Sequence, residues 1–156
     1  MAFNIFQNGI ALGSSMGRFL DHLQPVAALA ARVYVAQVFF LSGLTKIRDW
    51  GTTVALFTDE YKVPLLPPEL AAVMGTAGEL ILPILLVLGV GGRFAAIGLF
   101  VVNLVAVISL TEIAPAAYQQ HILWGSLLAG IVFFGSGKLS IEHFFAKRNH
   151  ALHAKR

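Results

Sequence analysis

Four stretches of the chain are long, apolar and nearly free of charge: about Val26 to Leu44, Glu69 to Val90, Arg93 to Leu110, and Ala117 to Gly135. Crossing a hydrocarbon core of about 30 Å takes about 20 such residues in a helix. Their apolar side chains lie on all sides of each helix, as expected where the surroundings are lipid rather than water. Only 12% of the 156 residues are charged and 57% are hydrophobic, against about 25% charged in an ordinary soluble domain. A soluble domain of this length could bury only about 70% of its unfolded surface. A cytosolic globule is therefore excluded. A nucleic-acid partner is not expected, despite a net charge of +3.

Gly89 to Arg93 joins the second and third stretches, and Thr111 to Ala116 the third and fourth, with Pro115 placed to open a helix. Links this short make consecutive helices antiparallel neighbours. The expected fold is all-α, an antiparallel four-transmembrane-helix bundle over residues 26–137. Residues 1–25 form an N-terminal segment in which Phe3, Phe6, Ile10 and Leu12 are spaced for an interfacial helix, a disordered leader being the alternative. Residues 45–68 are too polar to span and are expected to form an external loop with a short helix near Thr52 to Tyr61. Residues 138–156 form a basic tail.

Four spans place both termini on the side of the second link. That side carries seven basic residues (Arg18, Arg93, Lys138, Lys147, Arg148, Lys155 and Arg156), and the opposite side carries three (Lys46, Arg48 and Lys62). The excess marks the cytoplasmic side of an inner membrane, with the tail against anionic headgroups. His150 and His153 in that tail lack acidic or thiol company, so no metal site is expected. Zero cysteines exclude disulfides, iron–sulfur ligation and thiol relays.

Ionisable groups within spans are costly and turn inward. Three occur, Arg32, Glu79 and His121, together with the amides Gln37 and Asn103. At a rise of about 1.5 Å per residue, Glu79 and Asn103 both fall near midplane. Arg32 lies within a guanidinium's reach of Glu79, so an Arg32–Glu79–Asn103 cluster is expected there. His121 lies nearer the outer mouth, beside Lys46, Tyr118 and Trp124. Helical spacing aligns Arg32, Phe39, Gly43 and Lys46 on one stripe, and Tyr118, His121 and Gly125 on another. Such a column can be a site or only a register-fixing core.

The run Arg32 through Phe39, Gly43 and Lys46, the segment Gly78-Glu79-Leu80-x-x-Pro83 closed by Arg93, and Gly135-Ser136-Gly137-Lys138-Leu139-Ser140-Ile141-Glu142 together resemble the DoxX family of small four-helix bacterial membrane proteins. Ser136 and Glu142 stand where that family has Pro and Asp. The resemblance covers residues 27–142. It implies a role beside quinone-linked oxidoreductases or oxidative-stress complexes, with quinone as ligand and a redox partner protein. No bound haem, flavin or metal is expected, and self-association stays open. In that reading His121 and Glu79 are the catalytic candidates, and Phe39, Gly43, Lys46, Tyr118 and Trp124 line the quinone site. A proton-coupled carrier or membrane scaffold is the competing class.

The charge asymmetry gives a first prediction. A single cysteine at position 150, in a chain with no other, should react with an impermeant maleimide only after the cell membrane is opened. Labelling from outside intact cells would reverse the topology.

Overall fold

A computed structural model describes the backbone of residues 2–153 and the side chains of residues 16–149. It is all-helical: α1 (Ala2–Arg48), α2 (Trp50–Asp59), α3 (Pro68–Leu88), α4 (Gly92–Ser109), α5 (Pro115–Phe134) and α6 (Ile141–His153). Among the described residues, three helical segments are long and apolar enough to cross a membrane: Met16–Arg48, Pro68–Leu88 and Gly92–Ser109. The expected fourth, α5, has 20 residues, but Gln119, Gln120 and His121 in its opening turns dilute its apolar character. The N-terminal segment is not set apart from the first span, because α1 runs through Pro25 without a break. Proline there removes one backbone donor. The spacing of Phe3, Phe6, Ile10 and Leu12, and the pair His150 and His153, lie outside the described side chains.

Helix α1 packs on α3, α3 on α4 and α4 on α5, and α5 returns to touch α1. The core of this ring is Val35, Ala36, Phe39, Leu86, Ala95, Ala96, Leu99, Leu128 and Ile131. Alanines at 95 and 96 let the α4 backbone approach its neighbours, the usual means of close packing in lipid. Large apolar side chains such as Ile81, Ile84, Phe94 and Ile97 point outward instead, where hydrocarbon rather than water can surround them.

Helix α2 crosses one end of the bundle, the corner end, and rests on α3 through Phe57, Ala71 and Ala72. Asp49 alone separates it from α1. The Asp49 carboxylate accepts from the Thr52 backbone N–H at 3.0 Å and from the Thr52 hydroxyl at 2.7 Å. These bonds, the backbone one first, hold its carboxyl below the ordinary aspartate range. The expected helix near Thr52 to Tyr61 is thus present, beginning at its aspartate cap.

The opposite end, the turn end, is closed by Arg32. Helix α3 stops at Gly89, whose φ of 64° suits glycine. The amide of Val90 donates to Leu85 O at 3.1 Å and that of Gly89 to Leu86 O at 3.2 Å, a Schellman ending. Arg32, fully buried, reaches this ending from α1. Its Nη1 donates to Leu86 O and Val87 O at 3.3 and 3.2 Å, and its Nη2 to Leu139 O. A guanidinium suits the negative end of the α3 dipole, whose last carbonyls have lone pairs to spare, Leu86 O accepting from both the Gly89 amide and Arg32. The Gly135–Ser140 turn folds back onto the same place. Glu142 N–H donates to Gly89 O at 3.3 Å and Gly91 N–H to Glu142 Oε1 at 2.8 Å.

Replacing Arg32 with Ala removes these charge-assisted bonds and should cost at least about 3 kcal/mol, given about 1.5–3 kcal/mol for each hydrogen bond to a charged group. Gly89→Ala should also destabilise, because a Cβ would collide with Ser140 and come within 2.7 Å of Arg32 Nη1. Thermal unfolding in detergent checks both, and parent-like midpoints would refute the clamp.

Candidate functional site

Arg32 and Glu79 do not meet. In antiparallel helices, levels run in opposite directions, so the carbonyls at 86 and 87 that Arg32 contacts lie about 12 Å along α3 from Glu79. The expected Arg32–Glu79–Asn103 cluster is therefore divided among three places. Arg32 serves the turn end. Glu79 takes Lys46 as its partner, and Asn103 takes His121.

Lys46 Nζ lies 2.6 Å from Glu79 Oε2, with side-chain exposures of 18% and 10%. The ammonium also donates to Ser42 Oγ at 2.9 Å, one helical turn earlier on α1. Little water reaches this pair, so its two charges depend on each other. Gly43 brings the helices together here. A Cβ in its place would approach Leu80 to 2.9 Å and Glu79 Cβ to 3.1 Å.

Asn103 Nδ2 donates to the backbone carbonyl of His121 at 3.0 Å, and its Oδ1 lies 2.8 Å from His121 Nδ1. The carbonyl can only accept, which fixes the amide orientation. Oδ1 is then an acceptor, so Nδ1 carries the hydrogen and Nε2 is left with the lone pair. Gly125, one turn below His121, keeps room for the amide, since a Cβ would lie 3.2 Å from Asn103 Nδ2.

Lys46, Glu79 and His121, but not Asn103, border one cavity of about 450 Å³ at the corner end, within the usual range for small-molecule sites. Phe39, Lys46, Glu79, His121 and Trp124 line it. Trp124 packs edge-on to Phe39 at 6.0 Å and to His121 at 5.0 Å. Its Nε1 is buried without a partner among the described residues. Gly43 and Tyr118 are not among the lining residues: Gly43 faces α3, and Tyr118 is 44% exposed. Gln37 is also exposed.

Sequence reasoning missed the roof. Phe57 and Tyr61 stack edge-on at 5.0 Å and cover the cavity from α2 and the segment after it. Their i, i+4 aromatic spacing was the available signal. A backbone bond from Lys62 N–H to Ser109 O at 2.8 Å and the Tyr61–Leu110 bridge tie this segment to the end of α4. Burial, and then the nearby Glu60 and Glu79 charges, push the Tyr61 phenol above its ordinary value. It stays a neutral donor.

The structure yields opposite outcomes for two double-mutant cycles in detergent unfolding. Lys46→Ala or Glu79→Ala alone should cost about 3–5 kcal/mol by stranding a charge, while the double variant recovers part of that loss. Arg32→Ala and Glu79→Ala should simply add. The reverse pattern would restore the expected pairing.

The family model described as DoxX matches residues 27–112, more than half of the chain. The match covers the Lys46–Glu79 pair and Asn103 and stops short of His121. An uncharacterized protein of Haemophilus influenzae is 30% identical over 131 residues, 78% of this chain and 85% of that protein. No solved structure matches the chain.

Proposed function

The chain belongs to the DoxX family, and from that premise we propose that it is an inner-membrane subunit binding a quinone in the corner-end cavity. In this reading α5 is the fourth span, both termini are cytoplasmic, and the cavity lies toward the outer face. A seven-to-three basic count supports the orientation. The observation that carries the binding reading is the wall itself: flat aromatic surfaces at Phe39 and Trp124, an unpartnered indole donor, and a histidine whose Nε2 is available as a base.

Oxidising a quinol removes two protons and two electrons. His121 Nε2 would accept a proton, with Asn103 holding the ring in the required tautomer. Trp124 Nε1 is the free donor for a ring oxygen. The Lys46–Glu79 pair would supply the second proton path, since Glu79 can take a proton when its ammonium partner shifts toward Ser42. The electrons would pass to a redox centre on a partner protein, since the chain has no cysteine to carry them. A second reading, a proton-coupled carrier, draws on the same sheltered ion pair. It differs in requiring no retained quinone.

Purified protein should retain quinone in native mass spectrometry of its extracted lipids. His121→Ala should abolish quinone-linked turnover, or quinone retention, without loss of fold. His121→Gln, which can hydrogen-bond but not titrate, should preserve binding better than turnover. Parent-like behaviour of both variants would reduce His121 to an interfacial anchor.

A further inference from the structure

A second cavity of about 450 Å³ lies at the turn end, between the start of α4, the Gly135–Ser140 turn and α6. Nothing in the quinone reading uses it. Arg93 lines it, and the one hydrogen bond its exposed guanidinium makes among the described residues is a 3.5 Å contact to Phe133 O. Most of its five donors are therefore unused. Ser136 lines it too. That residue is only 6% exposed, yet its Oγ has no partner. Ser136 fits because position 92 is glycine, where any Cβ would collide with this hydroxyl.

The other polar walls are His143, Ser140 and Glu142. The Ser140 hydroxyl donates to Gly137 O and accepts from His143 N–H. The Glu142 carboxylate is engaged by the Gly91 amide at the positive end of the α4 dipole. Beside the second Glu142 oxygen, what remains free is mostly donors, chiefly those of Arg93, and exposed Lys138, Lys147 and Arg148 add positive charge nearby in the chain. Such a site calls for an anion with several acceptor oxygens.

The mouth says which anion. Phe94, which borders the cavity, is 70% exposed, and Ile97 and Val101 continue its stripe along α4 at 50% and 51%. Phe144 and Phe145 on α6 are 65% and 53% exposed. A soluble phosphate would engage the donors alone and use nothing of the lipid-facing stripe beside them. A phospholipid would cover both.

We propose that this cavity seats the headgroup phosphate of an anionic phospholipid, with Arg93 and Ser136 donating to its oxygens and its acyl chains lying along Phe94, Ile97 and Val101.

The test titrates delipidated full-length protein in detergent with phosphatidylglycerol, phosphatidylcholine and inorganic phosphate, reading bound species by native mass spectrometry. The parent should retain one phosphatidylglycerol per chain, about tenfold more tightly than phosphatidylcholine. Arg93→Gln should weaken retention about tenfold and Ser136→Ala by about threefold, as expected for loss of a charge-assisted and a neutral hydrogen bond. Lys62→Gln, at the corner end, should leave it unchanged. Ser136→Ala removes an unpartnered hydroxyl, so its unfolding temperature should match the parent, which keeps the test valid if Arg93→Gln folds poorly. Equal retention of the two lipids, or parent-like retention in Ser136→Ala and Arg93→Gln, would overturn the proposal. Displacement of the lipid by millimolar inorganic phosphate would overturn the lipid assignment in favour of a soluble anion.

Discussion

A single guanidinium, Arg32, joins three parts of the chain that are remote in sequence. Fully buried, it donates to the last carbonyls of α3 and to Leu139 in the turn after α5. Burying this cation without an acid partner is tolerable because carbonyl oxygens at a helix C-terminus carry partial negative charge and have lone pairs to spare. The bond set fixes how far α1 slides along α3. It also pins the return segment, so that Glu142 can cap the α3–α4 turn from the other side.

With the register held there, the corner end follows. Lys46 lies fourteen residues, about 21 Å, beyond Arg32 on α1, which brings its ammonium level with Glu79. Gly43 permits the close approach that makes the 2.6 Å contact. On the opposite wall the α4–α5 packing sets Asn103 against His121. The polar groups are therefore two separate pairs facing a shared apolar space, not one continuous column. Each pair satisfies itself.

The two ends differ in chemistry. At the corner end a roof of α2, tied down through Tyr61 and Lys62, shelters an aromatic-walled cavity. At the turn end, donors gather around an open cavity beside exposed phenylalanines. The residues that carry the family resemblance in Arg32 and in Gly135 to Glu142 belong to this second end, where they hold the helices together. Resemblance in those motifs speaks first to how the bundle closes.

Composition and apolar run length were enough to establish a helical membrane protein, because the cost of placing unpaired backbone in lipid leaves a chain few alternatives. Helix α2 was legible as a short helix within a segment too polar to span, and the Gly89 and Pro115 boundaries from local backbone preferences. Glu79, His121, Lys46, Phe39 and Trp124 could be singled out because ionisable and aromatic groups stand out in an apolar span. Their partners could not. Pairing across antiparallel helices depends on register, and a slide of two helical turns, about 11 Å, exchanges one partner for another without altering any local pattern. Tertiary packing alone moved Arg32 from Glu79 to the α3 terminus, gave Glu79 to Lys46 and Asn103 to His121, turned Tyr118 outward, and brought Tyr61 over the cavity from a segment whose sequence shows a short helix but not what it covers.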